Sequence, residues 1–251
     1  MRGRAGNAEA TFRSRERREG FDTVKQMMRA ILKALHIDPY GNLGSMRTGE
    51  RVAKALSPRY VYSKLALTVY EWRHPDHPWI TRDAIAWLEQ NLDGDDRGFE
   101  WGSGNGTAWL ARRSGSLTSV EHHAAWSAKV KEQLERAGVG NADHRLVAES
   151  DYLGVIEDFP DDHFDYVLVD GLFRDRALLA SIPKLRPGGA LVLDNANWYL
   201  RSGSGTPHSR ALDADSYSEI MERVEATLAG WPRIWTTNGV NDTAILTKPP
   251  A

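Results

Sequence analysis

The sequence contains no cysteine among its 251 residues. A disulfide framework, a catalytic thiol and a thiolate metal site are therefore excluded. The chain also lacks any apolar run near the ~18 residues that a membrane-spanning helix needs, and its Arg-rich start lacks the apolar core of a secretory signal. We therefore expect a cytoplasmic protein without a transmembrane segment.

A large excess of charge of either sign is missing as well. The 32 Lys and Arg residues and 34 Asp and Glu residues give a formal net charge of -2 at pH 7. A protein of this charge has no general attraction for a phosphate backbone, so we expect no nucleic-acid partner. The hydrophobic fraction of 41% is typical of a globular protein. Nothing in the composition indicates an oligomeric state.

A glycine-rich turn is the most informative segment that is present. Residues 99–107 read FEWGSGNGT, with glycine at alternate positions, and Glu121 closes the next apolar run. Such glycines let a strand turn sharply into a helix, and an acid about 20 residues on is placed to accept from ribose hydroxyls. Gly106 comes four positions after Gly102, whereas the dinucleotide pattern Gly-x-Gly-x-x-Gly needs five. The turn therefore indicates a nucleoside site of another type.

Two later segments extend this pattern. Residues 164–171 (FDYVLVDG) predict a buried strand, and residues 185–195 (LRPGGALVLDN) predict a turn followed by a second strand. Together with the motif Glu-x-Gly-x-Gly-x-Gly and the later acid, they resemble the class I S-adenosylmethionine-dependent methyltransferases over residues 80–248. The resemblance implies a methyltransferase that uses S-adenosylmethionine as its cofactor.

From residue 81 onward the chain alternates between short apolar strands and helices. We expect helices at 81–92, 107–113, 124–137, 152–158, 176–185 and 215–229, and strands at 98–101, 117–121, 145–148, 166–170, 190–193, 233–237 and 243–247. This alternation implies right-handed crossovers and a parallel sheet. The expected fold is α/β and Rossmann-like, with a seven-stranded, mostly parallel sheet, helices on both faces and an antiparallel C-terminal hairpin. The methyltransferase domain should span residues 80–251.

Residues 1–79 are expected to form a helical N-terminal extension with a flexible start. Apolar residues at helical spacing predict an amphipathic helix over 22–36, which either packs onto the main domain or makes peripheral contact with a membrane surface or a partner. A second helix is expected at 61–72. The following segment 74–78 (HPDHP) offers no helical ligand face for a metal, so we expect a rigid loop near the cofactor entrance.

The resemblance implies that the cofactor lies at the carboxyl ends of the strands. The implied cofactor-binding residues are Glu100, Gly102, Ser103, Gly104, Gly106, Thr107, Glu121, His122, Glu149, Ser150 and Asp170. Glu121 would accept from the ribose hydroxyls, and Glu149 and Ser150 would recognise the adenine. Trp126 either borders the adenine or packs its helix, and Asp151 is an alternative as a helix N-cap.

Asp170, Asp194 and Asn195 should meet at the ends of adjacent strands. They resemble the set with which catechol-type O-methyltransferases hold Mg²⁺, which would lower the pKa of a substrate hydroxyl. Alternatively, Asp170 contacts cofactor or substrate and the other two cap the strand. Phe173 stands where catechol-type enzymes carry a lysine base. The catalytic candidates are therefore Asp170 and His208, whose imidazole titrates near neutrality unless it is simply an exposed loop residue.

The expected function is O-methylation of a hydroxyl on a small molecule or sugar. Residues 197–199, directly after the fifth strand, would line the acceptor pocket. The Asn/Asp-Pro-Pro-Tyr/Phe motif of enzymes that methylate nucleic-acid bases is missing after the fourth strand. Two alternatives remain open, an NAD-linked Rossmann oxidoreductase and a non-catalytic partner-binding protein that retains a nucleoside pocket.

Overall fold

The computed structural model describes residues 57–207, 209–214 and 218–250. The Arg-rich start, the helix expected at 22–36 and His208 lie outside these residues, as does the start of the helix expected at 215–229. None of the helices in the described ranges is both long enough and apolar enough to cross a membrane.

A seven-stranded sheet organises the described residues. Its strands are β1 (Arg97–Trp101), β2 (Ser116–Glu121), β3 (Ala142–Leu146), β4 (Phe164–Val169), β5 (Leu185–Asp194), β6 (Arg233–Thr237) and β7 (Asp242–Thr247). They are arranged in the order β3-β2-β1-β4-β5-β7-β6. Strands β1 to β5 run parallel, and β7 pairs antiparallel with both β5 and β6. The predicted fold class is confirmed, including the antiparallel hairpin at the end.

Seven α-helices are present in the described ranges. They are α1 (Pro58–Arg73), α2 (Arg82–Asn91), α3 (Thr107–Ala111), α4 (Ala124–Ala137), α5 (Arg174–Lys184), α6 (Ala196–Tyr199) and α7 (Glu219–Leu228). The segment expected as a helix at 152–158 is a 3₁₀ helix, Tyr152–Asp158.

The central strands are buried on both faces. In β4, Val167 and Val169 pack in one core with residues of α5 and α7, while Tyr166 and Leu168 pack in another with residues of α2 and α3. Successive side chains of a strand point to opposite faces, so helices must cover both sides of the sheet. This is why β4 has a nearly continuous apolar sequence.

Local signals explain some helix boundaries and fail at one. The His123 ring accepts a hydrogen bond from the Trp126 N–H at the start of α4, and Gly138, with φ of 63°, ends this helix in the left-handed conformation. Thr81 precedes α2 as predicted but makes no side-chain cap. Its hydroxyl instead bonds the hydroxyl of Thr236 in β6, because this tertiary partner is buried beside it.

Strand β3 begins three residues earlier than predicted and ends two residues earlier. It pairs with β2 from Ala142 opposite Leu117 to Leu146 opposite Glu121. The prediction followed the apolar residues 146–148. However, β3 is an edge strand of half-exposed and exposed residues, so apolar sequence does not mark its position. Helix α5 also begins earlier than predicted, and Arg174 becomes its first residue.

Candidate active site

The glycine turn after β1 combines close packing with open space. Gly102 has φ of +89°, and a Cβ there would lie 2.6 Å from the Cα of Gly171 after β4. A Cβ on Gly106 would overlap Pro78. By contrast, a Cβ on Gly104 would meet nothing within 4 Å. The outer glycines are thus required by their protein neighbours, while Gly104 faces the space that a ligand could occupy.

Buried hydroxyl groups form a hydrogen-bond network with Glu100 and the residues of the turn. The Glu100 Oε2 atom accepts hydrogen bonds from Thr107 (2.7 Å) and from Ser119. The Thr107 hydroxyl also accepts from the Gly104 N–H at 2.8 Å, and Ser103 bonds Ser119 at 2.7 Å. All four of these side chains are buried. Glu100, Ser103 and Thr107 therefore shape the turn through contacts within the protein.

Glu100 is a carboxyl group without a counter-ion in the described ranges. Burial raises its pKa from 4.5 to about 7, and the hydrogen bonds from Ser119 and Thr107 oppose this rise. The nearby Glu121 raises the pKa further. The glycine turn therefore lies beside a group that changes its charge near neutral pH.

Glu121 ends β2 beside the turn. Its Oε1 accepts from the backbone N–H groups of His122 (2.9 Å) and His123 (2.7 Å), and the His122 Nδ1 lies 3.0 Å away. These bonds hold the carboxylate in one orientation through a single oxygen. The ring of His122 contacts Tyr152 edge-on, with ring centroids 6.1 Å apart.

Two aromatic contacts join other elements to the turn. The Trp126 Nε1 donates to the Ser103 carbonyl at 2.6 Å, so Trp126 braces the turn from α4. The Trp79 ring lies 6.0 Å from the Trp126 ring, and Pro78 packs against Gly106. The loop at 74–79 is therefore next to the turn. Three residues that follow β3, Glu149, Ser150 and Asp151, are exposed. Asp151 occupies the N-cap position of the 3₁₀ helix as predicted, but its side chain makes no cap hydrogen bond.

At the ends of β4 and β5 the predicted cluster of Asp170, Asp194 and Asn195 does come together, around Arg174. The Arg174 Nη2 donates to Asp170 Oδ1 at 2.5 Å, and its Nη1 donates to Asp194 Oδ2 at 3.2 Å. The Asn195 amide donates to the same Asp194 oxygen at 2.5 Å. Asp170 is half-buried, whereas Asp194 is buried.

The charges in this cluster perturb one another. Burial raises the pKa of Asp170 well above its ordinary value; the Arg174 guanidinium opposes the shift, and Asp194 adds to it. Burial also raises the pKa of Asp194, again against the effect of Arg174.

The fit of this cluster to a divalent ion is poor. Two buried oxygens, Asp194 Oδ1 and Asn195 Oδ1, have no hydrogen-bond partner among the described residues and would suit such an ion. However, the guanidinium of Arg174 already forms ion pairs with both carboxylates at close range. No group of three or more His, Cys, Asp or Glu side chains within the described ranges could hold a metal. The predicted magnesium therefore finds no support.

Two contributors to the site, Arg174 and Ser119, were given no role from the sequence; Ser119 is a small polar residue in a buried strand. Asn197 was predicted to line an acceptor pocket. Asn197 is fully buried, donates to Thr206 at 3.0 Å and accepts from the Asp242 N–H, so it belongs to the interior.

Comparison with known proteins identifies this part of the chain. Residues 99–196 match a family model described as a methyltransferase domain. No curated protein sequence matches the chain. The structure is similar to an O-methyltransferase from Bacillus cereus in complex with SAH, with 19% identity, coverage of 78% of this chain and 95% of that one, and a TM-score of 0.49. An rRNA methylase from Streptococcus thermophilus has 15% identity, 67% and 95% coverage, and a TM-score of 0.47. A tRNA methyltransferase from Aquifex aeolicus has 14% identity, 67% and 69% coverage, and a TM-score of 0.46.

The matched residues begin in β1 and end just after β5. They therefore contain the glycine turn, the acid that ends β2 and the cluster around Arg174. The alternative of an NAD-linked oxidoreductase has no support from this match. Residues 99–196 are therefore similar to a methyltransferase domain, and they form the parallel part of the Rossmann-like sheet, β1 to β5.

Proposed function

We propose that this enzyme transfers the methyl group of S-adenosylmethionine to a hydroxyl oxygen of a small molecule or sugar. The observation that carries the proposal is the turn at Gly104, which leaves open space beside the fixed carboxylate of Glu121. The cofactor would lie over Gly104, with its ribose hydroxyls donating to Glu121. His122 would border the nucleoside, and the exposed Glu149 and Ser150 would reach the adenine.

The acceptor would lie at the ends of β4 and β5. Its oxygen attacks the methyl carbon in line with the C–S bond, this bond breaks, and S-adenosylhomocysteine leaves as a neutral sulfide. The proton of the hydroxyl must pass to a base. We assign this role to Asp170, a half-buried carboxylate that Arg174 holds through Oδ1. His208, outside the described residues, is the second candidate.

The charge of the protein favours a small acceptor over a nucleic acid. With a net charge of -2, the chain lacks the electrostatic attraction that supplies most of the affinity of nucleic-acid-binding proteins. We also propose that residues 1–79 form an N-terminal extension to the methyltransferase domain.

The experiment is a methyl-transfer assay with radiolabelled S-adenosylmethionine. Phenols and sugars form one arm and RNA the other. We expect transfer to a hydroxyl compound, and transfer to RNA alone would contradict the proposal. Asp170→Asn should lower kcat by about 100-fold or more, because general-base catalysis contributes about that much. Its affinity for S-adenosylhomocysteine should stay within about twofold, as expected for a group that acts on the acceptor.

Asp213→Asn provides the matched control, because Asp213 is an exposed carboxylate. This variant should keep the wild-type kcat. An Asp170→Asn enzyme that keeps the full rate would remove Asp170 from the mechanism and leave His208 as the base.

A further inference from the structure

The guanidinium of Arg174 uses every hydrogen-bond donor that it has. Its Nη1 donates to the Asp194 carbonyl (2.6 Å) as well as to Asp194 Oδ2, and its Nη2 donates to the Asp170 carbonyl (2.7 Å) as well as to Asp170 Oδ1. Its Nε donates to the Gly171 carbonyl at 3.3 Å. A guanidinium has five N–H groups, and five oxygens of this chain accept from them. Arg174 therefore has no donor left for an acceptor molecule.

Two residues that flank this cluster in the chain have a left-handed backbone conformation. Phe173, directly before Arg174, has φ of +49°, and Asn195, directly after Asp194, has φ of +52°. The left-handed conformation is unfavourable for residues other than glycine, especially for a bulky residue such as Phe173, and it persists where surrounding contacts impose it. The contacts of Arg174 join these two positions across the ends of β4 and β5.

We infer that Arg174 is a built-in cation that takes the place of a divalent metal, and that methyl transfer by this protein requires no metal. The inference rests on the proposed function, because it concerns the acceptor end of the same site. A guanidinium that binds both carboxylates supplies the positive charge there and repels a second cation. Arg174 is a positioning residue, since it fixes Asp170 relative to β5 without a donor for the acceptor.

The first test measures metal binding directly. Wild-type protein saturated with S-adenosylhomocysteine is titrated with Mn²⁺, and bound metal is detected by electron paramagnetic resonance. We expect no stoichiometric binding. Methyl transfer should keep its rate in the presence of a chelator. Stoichiometric Mn²⁺ binding by the wild-type protein, or loss of turnover on chelation, would overturn the inference.

The second test removes the guanidinium. Arg174→Ala leaves Asp170, Asp194 and Asn195 without their cation, so Mn²⁺ affinity should rise at least about tenfold over wild type as the repulsion is lost. Arg174→Ala,Asp194→Asn should lose this gain. Arg176→Ala is the matched control, because Arg176 is exposed and lies on the same helix, and it should bind no more Mn²⁺ than wild type. A purely structural arginine would give no gain of metal affinity.

The inference remains testable if Arg174→Ala does not fold, because the wild-type titration alone can overturn it. The proposed function fails in a different way. If no hydroxyl compound is methylated while wild-type protein binds no Mn²⁺ and Arg174→Ala does, the acceptor class is wrong and the built-in cation stands.

Discussion

The two halves of the site differ in whether their buried carboxyl groups form ion pairs. At the ends of β1 and β2, a glycine turn rests on neutral hydroxyl groups around one buried carboxyl, Glu100, which has no ion pair in the described residues. At the ends of β4 and β5, two carboxylates share one guanidinium between two residues with positive φ. The first half leaves open space beside the backbone of Gly104, and the second holds charged side chains in fixed positions.

Under the proposed function, this difference corresponds to a division of roles between cofactor binding and acceptor positioning. A cofactor recognised through backbone and ribose contacts needs close approach and few charges. Methyl transfer to oxygen needs an acceptor held at one distance and one angle, which favours a rigid cluster. The two halves should also respond differently to substitution. The open space at Gly104 can be filled by a larger side chain, whereas a buried carboxyl group responds to pH.

The largest expected effect comes from filling the open space. Gly104→Val should weaken S-adenosylhomocysteine binding by at least about 100-fold, because its branched side chain enters the space proposed for the ligand. Calorimetry measures this affinity, and urea denaturation should show little change in stability since a Cβ on Gly104 meets nothing within 4 Å. Gly140→Val, at a glycine that is equally open and away from the turn, is the control. Unchanged affinity in a folded Gly104→Val protein would show that the ligand does not occupy the space beside Gly104.

The uncompensated charge of Glu100 gives the next effect. The pKa of Glu100 is about 7 in the folded protein and 4.5 in an exposed setting, so the folded state binds the proton more tightly. Its contribution to stability is complete below pH 4.5 and is lost as the pH rises through about 7. The loss amounts to roughly 3 kcal/mol.

Glu100→Gln should remove this part of the pH dependence, measured by urea denaturation at pH 5 and pH 8. Glutamine keeps an oxygen for the two hydroxyl donors and does not ionise. Glu149→Gln, at an exposed site, should leave the profile as in wild type. Parallel profiles for wild type and Glu100→Gln would show that the buried carboxyl is not the source.

A smaller effect is expected at Glu121. Glu121→Ala should weaken S-adenosylhomocysteine binding about tenfold, a loss of about 1.4 kcal/mol, because the ribose hydroxyls lose a charged acceptor. Calorimetry with Glu132→Ala as control tests this, since Glu132 is exposed on α4. A change below about twofold would mean that the ribose is bound elsewhere.

The smallest expected effect concerns the brace on the turn. Trp126→Phe keeps an aromatic ring and removes the hydrogen bond from Nε1 to the Ser103 carbonyl. A neutral hydrogen bond contributes about 0.5–1.5 kcal/mol, so cofactor affinity should fall about threefold. Trp87→Phe, at a tryptophan of α2 that packs against the core formed with α3, should leave the affinity unchanged. An equal loss in both variants would point to a general effect of removing an indole.

Elements were predicted most accurately from the sequence where the contacts that form them are local. The glycine turn, the helix from Ala124 to Ala137 and the terminal hairpin follow from residues close in the chain, and the structure has them at or near the predicted positions. The position of β3 was missed because an edge strand is half-exposed. The hydrogen bonds that Glu100 and Thr107 make within the turn were not predicted, because motif spacing does not say on which side of the backbone a side chain lies.

The sequence by itself determined the fold class and the order of the motifs, because both rest on short segments or on residue patterns that repeat every two or every three to four residues. It also determined that Asp170, Asp194 and Asn195 would meet, since the carboxyl ends of adjacent parallel strands lie together. Only the tertiary structure decided that Arg174 lies between them. Its bonds to Asp194 join residues 20 positions apart, across the ends of two strands, and depend on the left-handed turn at Phe173 that begins α5. No linear spacing encodes that geometry.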